Sequence, residues 1–440
     1  MRSGLVILFI GLLLAGCEDF LDVEPQSIAT PDEFFTEASS AQSSVDAIYS
    51  HLGGDGVYAR DMWRLHALLS DNGVENGNEP SLQQLSSFTL TEDNALVRDI
   101  WTGLYEGINT CNFAITGIPT SPISEAEQVT LIAEARFFRG LFYFELVRCF
   151  GGVPMITEPS LSVSDDFKTA RDSIDTVYEL IESDFIYARE NLPESTLNGR
   201  PNAFVASAYL AKVYVTRGEL TVAFPLTRSV ILSDAFALQP SFELNFQVGN
   251  KVNSEVMLAA PLSVQSQGNM NTRSLPRQLN GRSFELPTDS LVRVFSEADS
   301  RRPVTIIESV MEPDSSVAAI APHVSKYWDD NAEPAGGPTA VNYPILRYSD
   351  ILLLHAEIVS TLNNGPTTEA YFVANLVRER AGLPGFSGMN LEAFRAALLE
   401  ERRRELAWEG YRWYDLKRFG VLEESVEASK PGVDVMDQHR

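Results

Sequence analysis

Histidine and cysteine are scarce in this chain of 440 residues, and neither occurs in a familiar catalytic or metal-binding motif. Only three cysteines are present, and the five histidines are scattered: His51, His66, His323, His355 and His439. The sequence contains no His-Glu-x-x-His box, no paired Cys-x-x-Cys motif and no Gly-x-Ser-x-Gly elbow. We therefore predict no metal site, no cofactor and no catalytic residue.

Basic residues are also few, since 34 lysines and arginines stand against 60 aspartates and glutamates, for a formal net charge of −26. Such a surface repels phosphate backbones, so we expect no nucleic-acid partner. It also repels anionic lipid headgroups, which argues for a lipid tether over a basic membrane-binding face. Hydrophobic residues make up 44% of the chain and aromatic residues 10%, a composition typical of a globular protein.

The N terminus lacks an apolar run long enough to cross a bilayer. Arg2 precedes ten residues, 5–14, that are predominantly apolar, and a spanning helix needs about 20. A basic start, a short apolar core and small residues before a cut site are typical of a signal peptide, which we assign to residues 1–16. The tetrad Leu14-Ala15-Gly16-Cys17 fits a lipobox, in which Cys17 is lipidated and becomes the mature first residue. The alternative is an ordinary secretion signal followed by a chance cysteine.

Helical periodicity dominates the rest of the chain and predicts a mainly α fold. The scaffold helices are expected within 31–52, 92–233 and 344–419. Segments 201–233 and 345–381 each read as two helices joined by a turn, and each resembles a tetratricopeptide unit of about 34 residues. Such units stack on their neighbours, so we predict tetratricopeptide-like helical repeats.

Two long segments, 53–91 and 239–343, lack this periodicity. The second is rich in Asn, Ser, Pro and Gly and includes short strand-like runs, such as 256–262. Long irregular stretches inside a compact domain often carry function. We therefore expect the ligand face to be built from these two segments.

The densest run of charged and aromatic residues lies at 400–420, with the sequence Glu-Glu-Arg-Arg-Arg-Glu-Leu-Ala-Trp-Glu-Gly-Tyr-Arg-Trp-Tyr-Asp-Leu-Lys-Arg-Phe-Gly. The pattern predicts a charged amphipathic helix that packs its aromatic residues into a core. Carboxylates buried beside arginines are usually structural ion pairs. We therefore expect Glu405, Glu409 and Asp415 to form ion pairs, and a catalytic role for them is the lesser alternative.

This run resembles the C-terminal signature of the SusD/RagB family of surface glycan-capture lipoproteins. Further blocks resemble the same family in the same order along the chain: 17–25, 101–109, 134–140, 150–154, 344–350 and 378–383. Since the blocks extend from Cys17 to Gly420, residues 17–440 are interpreted as one SusD-like lipoprotein domain.

The resemblance implies a function in binding rather than in catalysis. It implies a helical fold with tetratricopeptide-like units, a lipid anchor in the outer membrane and exposure at the cell surface. It also implies that the protein binds oligosaccharides or other polymer-derived nutrients. Its expected partner is a SusC-like TonB-dependent barrel, over which the lipoprotein sits as a lid and to which it delivers the ligand.

Sugar capture uses flat aromatic side chains for the pyranose faces and polar side chains for the hydroxyl groups. The aromatic candidates in the two irregular segments are Tyr58, Trp63, Phe284, Tyr327 and Trp328. The polar candidates are Asp71, Asn72, Arg282, Asp329 and Asn331. Trp63 fits a core position equally well because it stands in a helix-like run with Leu65 and Leu68.

Two other functions stay open on the sequence. One is a surface glycan hydrolase, since two carboxylates at a suitable separation are sufficient for that chemistry. The other is a scaffold that binds peptides in tetratricopeptide grooves. A reducing-sugar assay tests the first, and a peptide array tests the second.

Overall fold

The computed structural model describes residues 31–160, 169–195, 199–262, 270–311, 314–329 and 340–435. The predicted signal peptide, Cys17 and Asn331 lie outside the described residues. The fold is mainly helical with a few short strands, so the predicted fold class is confirmed. The helices are α1 (Pro31–Phe34), α2 (Ala38–Leu52), α3 (Asp61–Leu68), α4 (Pro80–Ser86), α5 (Ala95–Gly117), α6 (Glu125–Phe150), α7 (Ile174–Asn191), α8 (Ala203–Thr216), α9 (Leu220–Leu232), α10 (Met270–Ser274), α11 (Asp289–Val294), α12 (Arg302–Thr305), α13 (Tyr348–Leu362), α14 (Thr368–Arg380), α15 (Leu391–Glu405), α16 (Arg412–Phe419) and α17 (Leu422–Ser429).

The scaffold is a succession of helices in which most members pack on the next. Helix α5 packs on α6, α6 on α7, α7 on α8 and α8 on α9, and the series continues through α13 and α14. Helix α6 is at its centre and buries Phe137, Phe138, Phe142 and Phe144 completely. Its first turn is fixed by a capping box, in which Ser124 and Glu127 satisfy each other's backbone N–H groups. Stacked helix pairs of this kind agree with the tetratricopeptide-like units expected from the sequence.

In the part of the chain that the structure describes, the strands form three separate antiparallel pairs. They are β1 (Gly73–Glu75), β2 (Val256–Ala260), β3 (Glu285–Pro287), β4 (Ile306–Met311), β5 (Val317–Val324) and β6 (Tyr343–Arg347). Strand β1 pairs with β3, with Val74 opposite Leu286, while β2 pairs with β6 and β4 with β5. Strand β3 also contacts β5. The β1–β3 pair therefore joins the two irregular segments, 53–91 and 239–343.

Two predictions about where helices occur were wrong in detail, one in segment 53–91 and one at residues 344–347. Segment 53–91 is not irregular throughout, because it contains α3 and α4. Every residue of α3 is buried, including the polar residues Asp61, Arg64 and His66, and its eight residues are too few to give a clear helical period. Residues 344–347 are not helical but belong to β6, whose five residues are all buried. A short, fully apolar run does not distinguish a buried strand from a helix.

The C-terminal run forms a buried charged cluster, by which we mean Glu255, Asp299, Arg301, Arg347, Arg380, Glu401, Glu405 and Glu409. Arg347 lies 2.6 Å from Glu255, 2.7 Å from Glu405 and 2.7 Å from Glu409. Arg301 bridges Asp299, Glu401 and Glu405 at 2.8, 2.7 and 3.1 Å. Asp415 likewise lies 2.8 Å from Arg402. The ion-pair interpretation of Glu405, Glu409 and Asp415 is confirmed.

Candidate functional site

The structure buries five of the ten predicted ligand-binding residues: Tyr58, Trp63, Asp71, Asn72 and Tyr327. A buried side chain has no exposed surface that could contact a sugar. These five predictions therefore need correction, and each side chain has a structural role instead.

The three buried aromatic residues belong to the core. Trp63 lies in α3 and donates its indole N–H to the Ala59 carbonyl at 3.4 Å. Tyr58 and Tyr327 each stack on the core residue Tyr343, with ring centroids 5.8 and 5.7 Å away. Their location in segments without helical periodicity suggested exposure, but both segments contain elements that pack inward.

The two buried polar residues fasten the C-terminal run to the segment that precedes β1. Both carboxylate oxygens of Asp71 accept hydrogen bonds from Arg412 at 2.8 Å, and Asn72 accepts one from Arg403 at 2.8 Å. Burial acts to raise the pKa of Asp71, but Arg412 and Arg403 outweigh it, so the pKa lies below its ordinary value. Asp71 therefore stays ionised as an anchor for these arginines.

Phe284, Arg282, Trp328 and Asp329 keep part of their surface in contact with solvent, whereas Asn331 lies outside the described residues. Phe284 is half-buried and Arg282 is exposed just before β3. Trp328 follows β5 and is 38% exposed. These residues remain candidates for the ligand face.

Phe284 is the centre of the better-defined surface. We call the Phe284 face the surface formed by Asn76, Gly77, Arg273, Arg282 and Phe284. Asn76 donates its backbone N–H to the Phe284 carbonyl at 2.7 Å and its side-chain amide to the Ser283 carbonyl at 2.9 Å. A β-carbon at Gly77 would lie 3.0 Å from the Phe284 ring, so glycine allows this close approach. The loop after β1 thus holds one edge of the ring.

The segment before β3 folds back on itself and presents two arginines to the same ring. Phe284 donates its backbone N–H to the Arg273 carbonyl at 2.8 Å, and Arg282 donates to the Thr272 carbonyl at 2.9 Å. The guanidinium carbons of Arg273 and Arg282 lie 5.7 and 5.9 Å from the centroid of the Phe284 ring. Both distances are within the range of cation–π attraction. The face therefore combines one flat apolar ring with two sets of hydrogen-bond donors.

A series of ion pairs stabilises the position of Arg273 in the Phe284 face. Glu285, which is fully buried, lies 2.7 Å from Arg64, and Arg64 lies 2.7 Å from Glu79. Glu79 also lies 2.9 Å from Arg273. Partial burial acts to raise the pKa of Glu79, but the hydrogen bonds from Arg273 and Arg64 outweigh it, so this pKa is lowered. Glu79 is therefore an anion that fixes Arg273 beside the ring.

Trp328 and Asp329 form a second candidate surface at the end of β5. Partial burial lowers the pKa of the Lys251 ammonium group, and the nearby Asp329 carboxylate opposes this shift. On β5 itself, His323 Nε2 lies 3.0 Å from the Ser283 hydroxyl. This hydrogen bond connects the strand that leads to Trp328 with the segment that carries Phe284. Sequence reasoning missed His323 because a lone histidine in a strand carries no distinguishing pattern.

The helical scaffold has a groove of its own, where the peptide-binding alternative would be located. It has a volume of about 400 Å³ and lies along α7, α8 and α9. Its lining includes Ile186, Leu210, Tyr214, Val222 and Pro225. Among the residues that the structure describes, no group of three His, Cys, Asp or Glu side chains is placed to hold a metal ion.

Family models match both halves of the chain. Residues 19–215 match the model described as starch-binding associating with outer membrane, and residues 268–439 match the model of the SusD family. The chain belongs to the SusD/RagB family. Within the described ranges, no helix is both long and apolar enough to cross a membrane.

Individual relatives agree with this assignment over nearly the full length. The SusD-like protein P2 of Formosa agariphila is 29% identical, with 94% of this chain and 90% of the relative covered. A SusD-like protein of Bacteroides ovatus is 27% identical, with 94% and 81% covered. These relatives carry no enzyme name.

Solved structures share the fold. A SusD superfamily protein from Bacteroides vulgatus superposes with a TM-score of 0.82 at 21% identity, covering 90% of this chain and 91% of that chain. A laminarin-binding SusD-like protein superposes with a TM-score of 0.78 at 26% identity, covering 91% and 95%. Its description places glycan binding on a fold similar to this one.

Proposed function

We propose that this protein binds oligosaccharides released from a larger polymer and delivers them, without cleaving them, to a TonB-dependent transporter in the outer membrane. The observation that carries the proposal is the match of both halves of the chain to SusD-type models, one of which is described as starch-binding. The fold shared with a laminarin-binding protein supports a glycan as the ligand.

The Phe284 face is the proposed contact surface for the sugar. The C–H face of a pyranose packs against a flat aromatic ring, and its hydroxyl groups need donors and acceptors at the rim. Phe284 supplies the ring, and Arg282 and Asn76 supply exposed polar groups. The ion pairs through Glu79 and Arg64 hold this surface in place before a ligand arrives. Trp328 is proposed as a second aromatic contact.

The two carboxylates of the supporting ion pairs, Glu79 and Glu285, favour binding over hydrolysis. Glycoside hydrolysis needs one carboxyl group to donate a proton and a second one as base or nucleophile. The two oxygens of Glu79 are engaged by Arg64 and Arg273, and Glu285 is fully buried against Arg64. Glu79 therefore has no unpaired oxygen and Glu285 has no exposed one, so neither is placed to transfer a proton to a sugar.

Membrane attachment is proposed to depend on Cys17. The tetrad that ends at Cys17 fits a lipobox, and the model that matches residues 19–215 is described as associating with the outer membrane. Cys17→Ala is expected to move the protein from the membrane fraction to the soluble fraction. A variant that stays in the membrane contradicts the lipid anchor.

Calorimetric titration of the purified mature protein tests the binding function. The probes are glucan oligosaccharides, including laminarin fragments, and a peptide library. Binding of a sugar with no new reducing ends supports the proposal. Turnover that a single carboxylate substitution abolishes supports the hydrolase instead. Peptide binding that Tyr214→Ala weakens supports the scaffold.

The transporter partner is tested by extraction from the native membrane in mild detergent. We expect a large barrel protein to copurify in near-equal amount. Stable interfaces of this kind bury about 1,600 Å² or more and survive such extraction. Recovery of the lipoprotein alone in several detergents contradicts the delivery step.

A further inference from the structure

The segment that builds the Phe284 face has an unusual charge. Acidic residues number 60 in the chain against 34 basic ones, yet none occurs between positions 256 and 284. The charged residues in that stretch are Arg273, Arg277 and Arg282. A protein with a net charge of −26 thus presents a purely basic segment at the surface where its proposed ligand binds.

Two of these arginines have no carboxylate partner in the described part of the chain. Arg277 and Arg282 are exposed, and no described Asp or Glu lies within 4.0 Å of either guanidinium group. Arg347 in the buried charged cluster contacts three carboxylates. Acidic side chains are abundant in this protein, so the absence of a partner at Arg282 leaves its positive charge available to a ligand.

The third arginine, Arg273, is held in place by an ion pair, but its hydrogen-bond donors are not all used. Arg273 pairs with Glu79 at 2.9 Å, yet its Nε atom is buried and has no hydrogen-bond acceptor among the described residues. Arg273 and Arg282 both lie against the ring of Phe284, at 5.7 and 5.9 Å. Two guanidinium groups beside one half-buried ring form a site for an anionic group that projects from the edge of a stacked sugar.

We propose that the Phe284 face selects a negatively charged sugar, one that bears a carboxylate or a sulfate group. This inference rests on the proposed function and names the ligand class of the same site. The pyranose packs on Phe284, and the acidic group accepts paired hydrogen bonds from Arg282, with Arg273 adding to the positive potential. Arginine suits this role because its planar fork matches the oxygens of carboxylate and sulfate groups.

The test compares three oligosaccharides of equal length by calorimetry: an oligouronate, a sulfated galactan fragment and a neutral β-glucan fragment. We expect at least one anionic oligosaccharide to bind about tenfold more tightly than the neutral one, since a hydrogen bond to a charged group is worth about a factor of ten. The first two arms separate carboxylate from sulfate recognition. The advantage should shrink between 50 and 500 mM salt because ions screen the exposed arginine.

Arg282→Gln should remove most of the tenfold advantage and leave neutral binding unchanged. Arg282→Lys should give an intermediate affinity, because it keeps the charge and loses the fork. Arg228→Gln is the matched control, since Arg228 is exposed on α9 and lies 5.7 Å from the ring of Phe224 in the helical scaffold. It removes the same charge and should alter no affinity.

Two outcomes overturn the inference. The first leaves the proposed function intact, and the second contradicts it as well. Equal affinity for neutral and anionic fragments, unaffected by Arg282→Gln, removes the anionic selectivity and leaves glycan binding intact. Failure of all three fragments and of the glucan oligosaccharides to bind removes the glycan function together with the inference.

Discussion

The buried charged cluster and the Phe284 face both place arginines near a phenylalanine ring, yet they differ in how completely those arginines are paired. Arg347 contacts three carboxylates and lies 5.5 Å from the ring of Phe242. Arg282 lies at a similar distance from the ring of Phe284 and contacts no described carboxylate. The completeness of pairing, more than the residue type, distinguishes an arginine that holds the fold from one that is available to a ligand.

The difference has an energetic basis. A buried charge is stable only while its partners are present, so any change in the cluster leaves an unpaired charge in the core. An exposed arginine exchanges protein contacts for water with little change in free energy. The arginines of the cluster are therefore fixed by folding, whereas Arg282 on the Phe284 face can exchange water for a ligand.

Arg347→Met should cause the largest loss of stability among these variants. It removes the shared partner of Glu255, Glu405 and Glu409 and should lower the free energy of unfolding by about 3–5 kcal/mol. Guanidinium denaturation followed by circular dichroism measures this. Arg282→Met is the matched control and should change stability by about 0.5 kcal/mol or less. Equal losses in the two variants would contradict the comparison.

The cluster should also determine the acid sensitivity of the fold. Burial acts to raise the pKa of Glu405, but Arg380, Arg347 and Arg301 outweigh it and hold this pKa well below its usual value. A lowered folded-state pKa stabilises the protein above the unfolded value of about 4.3, and the stabilisation is lost as the pH falls below it.

Glu405→Gln should therefore be much less stable than the wild type at pH 7, and the gap should narrow towards pH 3. Urea denaturation midpoints between pH 3 and pH 7 measure this. Glu392→Gln, an exposed change in the first turn of α15, should follow the wild type. A gap for Glu405→Gln that stays constant with pH would show that folding does not lower the pKa of Glu405.

Much of the fold was predictable because its signals are local. Helix α6 has a capping box at Ser124 and a wide apolar surface, and both are visible in the sequence. Helix α3 was visible only as a helix-like run around Trp63 because it is short, and strand β6 was missed because its buried residues do not alternate between polar and apolar. Periodicity in a sequence identifies an element by its one polar and one apolar face, and β6 has no such division.

The site was less predictable because its determinants are far apart in the chain. Asp71 and Asn72 were assigned to the ligand, but their partners Arg412 and Arg403 follow 341 and 331 residues later. Nothing in the sequence near Asp71 indicates that pairing. Phe284 and Arg282 remain candidates because the fold leaves them at the surface, and the contact that brings Asn76 beside them again joins distant segments.

Phe284→Ala tests the contribution of the Phe284 face to sugar binding. The ring should add about 0.5–1.5 kcal/mol to sugar binding, so the variant should lose roughly two- to tenfold in affinity. Stability should change little. Phe372→Ala is the control, since Phe372 is 63% exposed on α14 in the helical scaffold. Unchanged affinity in Phe284→Ala would remove this ring from the site.

Trp328→Ala and Tyr327→Ala compare neighbouring residues with opposite environments. Tyr327 is 4% exposed and packs on Tyr343 and Phe246, so its loss should lower stability by about 3–5 kcal/mol, as other large core truncations do. Trp328 is 38% exposed, and its loss should change stability by about 0.5 kcal/mol or less. Thermal unfolding and calorimetric titration with the same oligosaccharide separate the two roles. If Trp328→Ala lowers affinity without lowering the melting temperature, Trp328 joins Phe284 in the ligand surface. A fall in melting temperature as large as that of Tyr327→Ala would instead assign Trp328 to the core.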